Sequence, residues 1–207
     1  MLIVKYSKNI IEQLKPLPFF SRKSVSQIAD QYNLKTGTVD SYIKKLLASR
    51  ELIQLKKGFY ITDESLKKNR TDTSFIFFLA NVLRTPSYVS MWSALQYYNL
   101  ATEAINTTTS VTSQVTRSYN SMVGNFVYRS IKKDLFFGFL LVKGNFDFFI
   151  ATPAKALFDI IYFKTNQFRS IRLKKLAQII ADLRIDLDEF DINERKNFYA
   201  LMKKYCK

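Results

Sequence analysis

The sequence predicts an α+β protein in two parts, from three observations. Apolar residues recur at helical spacing through the first fifty positions, and β-prone runs joined by a glycine follow at once. After residue 104 β-branched and aromatic residues take over, before helical spacing returns at the end. With 47% hydrophobic and 24% charged residues, the 207-residue chain has enough apolar substance for a core and too little charge for disorder.

A first helix is read over residues 6–14. Lys15-Pro16-Leu17-Pro18 stops it, because two prolines this close cannot continue a helix. Ser24-Val25-Ser26-Gln27 fits a capping box, and Val25, Ile28, Ala29 and Tyr32 then form one apolar stripe. After the turn Asn33-Leu34-Lys35, Thr36 is placed as the cap of another helix with the buried stripe Val39, Ile43, Leu46 and Leu47. Leu52-Ile53-Gln54-Leu55, Lys56-Lys57-Gly58 and Phe59-Tyr60-Ile61 read as a β-hairpin turned through a glycine that tolerates positive φ. Two short helices a turn apart, followed directly by a basic-tipped hairpin, predict a winged helix-turn-helix over residues 1–70.

Residues 62–73 are polar apart from Leu66 and read as a linker to a second α/β domain over residues 74–207. There, residues 75–83 and 93–98 have helical spacing, Pro86 separates them, and Tyr88-Val89-Ser90 is extended. Residues 107–115, 126–131, 136–142 and 146–151 read as strands of one antiparallel sheet, with a hairpin turn at Gly144-Asn145. Pro153 opens a helix at the first turn, where its missing N–H costs nothing. C-terminal helices carry the stripes Leu173, Leu176, Ala177, Ile180, Leu183 and Phe198, Leu201, Met202, Tyr205. The acidic run Asp186 to Asp191 between them is assigned to capping the next helix, near Asn193, in preference to holding an ion.

Composition narrows the chemistry. The chain has no histidine and one cysteine, Cys206, which removes the commonest general base and metal ligand, Ser-His and Cys-His pairs, zinc sites and internal disulfides. No enzyme, metal or cofactor is called for. The absence of a long apolar run or a signal-peptide pattern points to a soluble, cytoplasmic protein. The formal charge is +15, unevenly spread. Residues 1–70 hold 14 basic against 6 acidic side chains, residues 71–181 hold 12 against 5, and residues 182–207 hold 6 against 6. Such a field attracts polyanions.

In a helix-turn-helix the second helix enters the major groove of double-stranded DNA. If Val39, Ile43 and Leu46 face inward, Thr38, Ser41, Tyr42 and Lys45 project outward or sideways, with Thr38, Ser41 and Tyr42 near base edges. Lys35 and Thr36 sit at the helix mouth, where free N–H groups suit a phosphate. Lys44, Lys45, Lys56 and Lys57 are expected to grip the DNA backbone. In the second domain Arg117, Arg129, Lys132, Lys133 and Lys155 are expected to form an outward basic patch. The phenylalanines at 136, 137, 139, 146, 148 and 149 alternate over both strand faces, so about half belong to the core; Trp92 is assigned to interdomain packing.

The order of segments resembles the AbiEi antitoxin family of type IV toxin–antitoxin (abortive infection) systems. Three stretches carry the likeness: Leu52-Ile53 through Lys57-Gly58-Phe59-Tyr60, Tyr88-Val89-Ser90-Met91-Trp92-Ser93-Ala94-Leu95 through Leu100, and Phe149-Ile150-Ala151-Thr152-Pro153-Ala154-Lys155-Ala156-Leu157-Phe158-Asp159. The resemblance implies an autorepressor that binds inverted-repeat operators, monomeric in solution or dimeric on DNA. It also implies a C-terminal domain that counters a nucleotidyltransferase-like toxin without a stable complex. The alternative is a nuclease delivered by the winged helix, with Asp134, Asp147 and Lys155 as its carboxylate–lysine set.

Overall fold

In the computed structural model, which describes residues 9–101, 106–169 and 175–206, the first helices form on their apolar stripes. Residues 9–14 are helical (α1) and end before Pro16; residues 6–8 of the expected helix lie outside the described residues. A two-residue strand, β1 (Phe20–Ser21), leads straight into α2 (Arg22–Asp30). The capping box falls one turn earlier than the sequence suggested. Ser24 N–H donates to Ser21 Oγ at 3.1 Å and Ser21 N–H donates to Ser24 Oγ at 3.3 Å, because Ser21 is the residue held in extended backbone by β1. The cap of α3 (Thr36–Ala48) is likewise displaced, to Lys35, which makes no side-chain cap bond. Next come β2 (Leu52–Lys56) and β3 (Phe59–Thr62), an antiparallel hairpin whose second strand, β3, also pairs with β1 and is the central strand of that sheet. Gly58 turns it at φ +78°.

The expected linker is a helix, α4 (Asp63–Asn69). Thr62 Oγ1 accepts from Ser65 N–H, two acids sit in the first turn and two lysines in the last, and Leu66 is buried. Capping and dipole complementarity outweigh the polar composition that suggested a loop.

Beyond it lie α5 (Thr73–Leu83), β4 (Ser87–Val89), α6 (Met91–Tyr97), β5 (Thr107–Thr112), β6 (Arg117–Ser121), β7 (Gly124–Ser130), β8 (Phe139–Val142), β9 (Phe148–Ala151), α7 (Pro153–Lys164), α8 (Leu176–Asp182) and α9 (Ile192–Tyr205). The fold is therefore mixed α and β, with a three-stranded antiparallel sheet and a six-stranded sheet of order β6-β7-β5-β4-β9-β8. The larger sheet is mixed, not antiparallel: β5 pairs parallel with β7, and β4 parallel with β9. β7 returns from the β6 hairpin into the place beside β5, so two strands close in sequence run the same way. β6 itself was not expected.

Pro153 opens α7 under a Thr152 cap, and Asp191 caps α9 by accepting from Asn193 N–H at 2.8 Å, as the capping reading of the acidic run expected. Leu173 lies outside the described residues; Leu176 and Ile180 of its stripe are buried while Ala177 is exposed. One apolar cluster joins α1, α2, α3 and Leu52. The larger one takes in Ile53, Leu55, Ile61 and Leu66 together with α5, the six-stranded sheet and α7 to α9. Packing is thus continuous from the hairpin into the second half. Among the described residues no helix is long and apolar enough to cross a membrane.

Candidate nucleic-acid interface

The site is built on α3. Val39, Tyr42, Ile43 and Leu46 lie at i, i+3, i+4 and i+7 and are buried, which turns Gly37, Ser41, Lys44, Lys45 and Ala48 to solvent as one face. Thr38 is half-buried beside it, and Lys35 and Thr36 are exposed at its N-terminal mouth. Ser41 Oγ donates to Gly37 O at 2.9 Å, so its hydroxyl lies along the helix with lone pairs outward. One expectation is corrected. Tyr42 is 3% exposed and belongs to the core stripe, because its position, not that of half-buried Leu47, completes the helical spacing.

Sequence reasoning did not find Arg22. Its Nε and Nη2 donate to Asp40 at 2.7 and 2.9 Å, a two-pronged bond from the start of α2 to the one carboxylate on α3. Those bonds and the guanidinium charge hold the Asp40 carboxyl below its ordinary value and raise Arg22 above its own. The acid is thereby ion-paired at the surface, so the only unpaired charges on the exposed face of α3 are its lysines. Nothing in the spacing of Arg22 and Asp40 signals the pair.

The hairpin divides its lysines. Lys57 is exposed at the turn. Lys56 is not a tip residue: its Nζ donates to Leu83 O at 2.6 Å and lies over the Phe59 ring, 4.1 Å from the centroid. It caps the C-terminal end of α5, and burial together with repulsion from Arg84 pushes its ammonium down. Gly58 O accepts from Arg22 N–H at 2.9 Å, which ties the hairpin turn to the start of α2.

The expected patch of the second half is also divided. Arg117, Arg129, Lys132 and Lys133 are exposed. Lys155 is wholly buried in α7, ion-paired with Asp159, whose other oxygen accepts from Ser90 Oγ at 2.7 Å and Tyr88 Oη at 3.1 Å. Burial pushes the Asp159 carboxyl above and the Lys155 ammonium below their ordinary values. The signal was present in sequence: Lys155 and Asp159 stand four apart in a helix otherwise almost wholly apolar. Asp134 and Asp147 are exposed and Asp147 accepts from Gly144 N–H, so with Lys155 they form no common solvent-facing set. Trp92 is not interdomain packing; it lines a cavity with Val127, Arg129 and Phe163.

No family model matches the chain, and no curated protein is similar to it in sequence.

Proposed function

We propose that the protein is a double-stranded-DNA-binding autorepressor and antitoxin, with α1 to β3 acting as a winged helix-turn-helix. One observation carries the DNA-binding reading. The face of α3 turned to solvent holds Ser41, Lys44 and Lys45 with Lys35 at its mouth and no unpaired carboxylate, since Asp40 is held by Arg22. A helix with that face suits the major groove, its lysines meeting phosphates and Ser41 and Thr38 reaching base edges. Lys57 at the hairpin turn supplies a further cation to the adjoining DNA backbone.

The antitoxin half of the proposal rests on the resemblance. Its second and third segments meet through the parallel pair β4–β9 and through Tyr88 and Ser90 donating to Asp159, which makes them one unit. In this reading the second half counters a nucleotidyltransferase-like toxin separately from operator binding.

Replacing Lys35, Lys44, Lys45 and Lys57 by alanine is expected to weaken binding to every DNA sequence. Each lysine–phosphate pairing removed flattens the log–log salt slope by about 0.9. An unchanged slope removes α3 and the hairpin from the interface. Cells expressing the cognate toxin should survive with that variant and die when residues 74–207 are deleted. Death with a folded lysine variant would show that protection runs through repression alone.

A further inference from the structure

A cavity of about 440 Å³ opens on the face of the six-stranded sheet away from α5. Alternation along β7 places it. Phe126 and Tyr128 point into the core, where Tyr128 Oη donates to Ala80 O of α5, and Val127 and Arg129 point the other way. Val127 and its register partner Thr109 on β5 form the floor, and Met91 and Trp92 of α6, Ile160, Phe163 and Lys164 of α7 and Leu183 form the walls.

Two chemistries meet there. The lining is largely apolar and includes the indole of Trp92 and the ring of Phe163, a setting for a flat aromatic group. The rim carries Arg129 and Lys164, both exposed and, among the described residues, both without an ion-pair partner. Arg129 is not a loose surface cation. Its guanidinium lies over the Phe163 ring, 4.7 Å from the centroid, and a guanidinium held against a ring keeps its N–H fork for an anion. An apolar, aromatic-lined cavity with an arginine held on one of its rings and an exposed lysine suits a planar ring that carries a doubly charged group. An aromatic monocarboxylate would leave one of the two cations unpaired.

We propose that this cavity is a binding site for a 5′-nucleotide, the base entering beside Trp92 and the phosphate meeting Arg129 and Lys164. The size suits one nucleotide, since ligand pockets begin at about 300 Å³. The same chemistry is offered by a free mononucleotide and by the phosphorylated 5′ end of a single strand. The inference does not depend on DNA binding by α3.

Trp92 is the only tryptophan in the chain and reports on the site directly. Its emission, excited at the red edge of its absorption, is followed while the full chain is titrated with adenosine 5′-monophosphate, with adenosine, and with a 5′-phosphorylated single-stranded oligonucleotide. Saturable quenching by the monophosphate, and at least about tenfold weaker quenching by adenosine, is expected from the loss of charged hydrogen bonds. Arg129→Gln should weaken the monophosphate by a similar factor while leaving adenosine unchanged. Lys164→Gln, at an exposed position that does not threaten folding, should do so to a smaller degree. The oligonucleotide binding at least as well as the monophosphate identifies a strand end as the source, and the monophosphate binding better identifies the free nucleotide. No saturable quenching up to millimolar monophosphate, equal binding of adenosine and its phosphate, or indifference to Arg129→Gln overturns the proposal. Repeating the titration on the Lys44→Ala, Lys45→Ala protein keeps it distinct from operator binding, because nucleotide affinity should survive there.

Discussion

Replacing Asp159 by leucine strands an ammonium in the core. Lys155 and Asp159 are both 0% exposed, so water cannot take over the lost partner. What remains around Lys155 Nζ is three ring faces, those of Tyr88, Phe137 and Phe158, at 4.8 to 5.7 Å. Breaking a buried pair from one side costs about 3–5 kcal/mol, a large part of the roughly 5–15 kcal/mol that holds a folded domain. With a urea slope of about 2 kcal/mol per molar, the unfolding midpoint should fall by about 2 M. Lys155→Met should be milder, because Asp159 keeps the Ser90 and Tyr88 hydroxyls and can take up a proton. Removing both charges, as Lys155→Met with Asp159→Leu, should recover most of the loss, since two apolar groups need no partner. Urea unfolding followed in the same samples by Trp92 emission and far-ultraviolet circular dichroism measures all three. A loss below about 1 kcal/mol for Asp159→Leu, of the size a surface substitution gives, would refute the reasoning. So would a double variant no more stable than the single one.

Lys56→Met should lose about 1 kcal/mol of stability, from the bond to Leu83 O, and leave the salt slope of the proposed DNA binding unchanged. Lys57→Ala should do the reverse, and a flattened slope for Lys56→Met would return that lysine to the interface. The Arg22–Asp40 pair should give an acid-dependent difference. The hydrogen bonds and charge of Arg22 depress the Asp40 carboxyl, so its contribution is fully present above the ordinary value of 3.8 and disappears as the pH falls through the lower folded value. Unfolding curves of the parent and of Arg22→Gln should therefore differ at neutral pH, begin to approach each other near pH 3.8, and converge once the pH is below the depressed folded value. A difference that does not shrink as the pH falls from 3.8 would mean the pair is not what separates them.

What could be read along the chain was what depends on near neighbours. The stripe Val39, Ile43 and Leu46 fixed the buried side of α3, and with it the exposure of Ser41, Lys44 and Lys45. Pro153 marked the start of α7, Gly58 the turn of the hairpin and the acidic run Asp186 to Asp191 the capped start of α9, because each acts through the backbone within one or two turns. The helix α4 was concealed for the converse reason. Its signals are a cap and end charges on a polar surface, and composition alone resembles a linker.

Partners distant in sequence were decided only by the tertiary structure. Alternating side chains announce a strand and not the strand beside it, so the parallel pairs β5–β7 and β4–β9 had no local sign. A lysine's sequence does not say whether its ammonium ends in water. Lys57 stays free, while one residue earlier Lys56 reaches the end of α5, twenty-seven positions away. Lys155 looked like surface charge until α7 was enclosed by the sheet and α9, which left its charge no partner but Asp159 and made Asp159 the acceptor for Tyr88 and Ser90 from β4 and its edge. Trp92, Arg129 and Phe163 stand far apart in the chain. Only the packing of α6 against α7 and β5, with β7 paired beside β5, gathers them around one cavity, because a long-range contact is set by the closure of the whole core and not by the residues on either side of it.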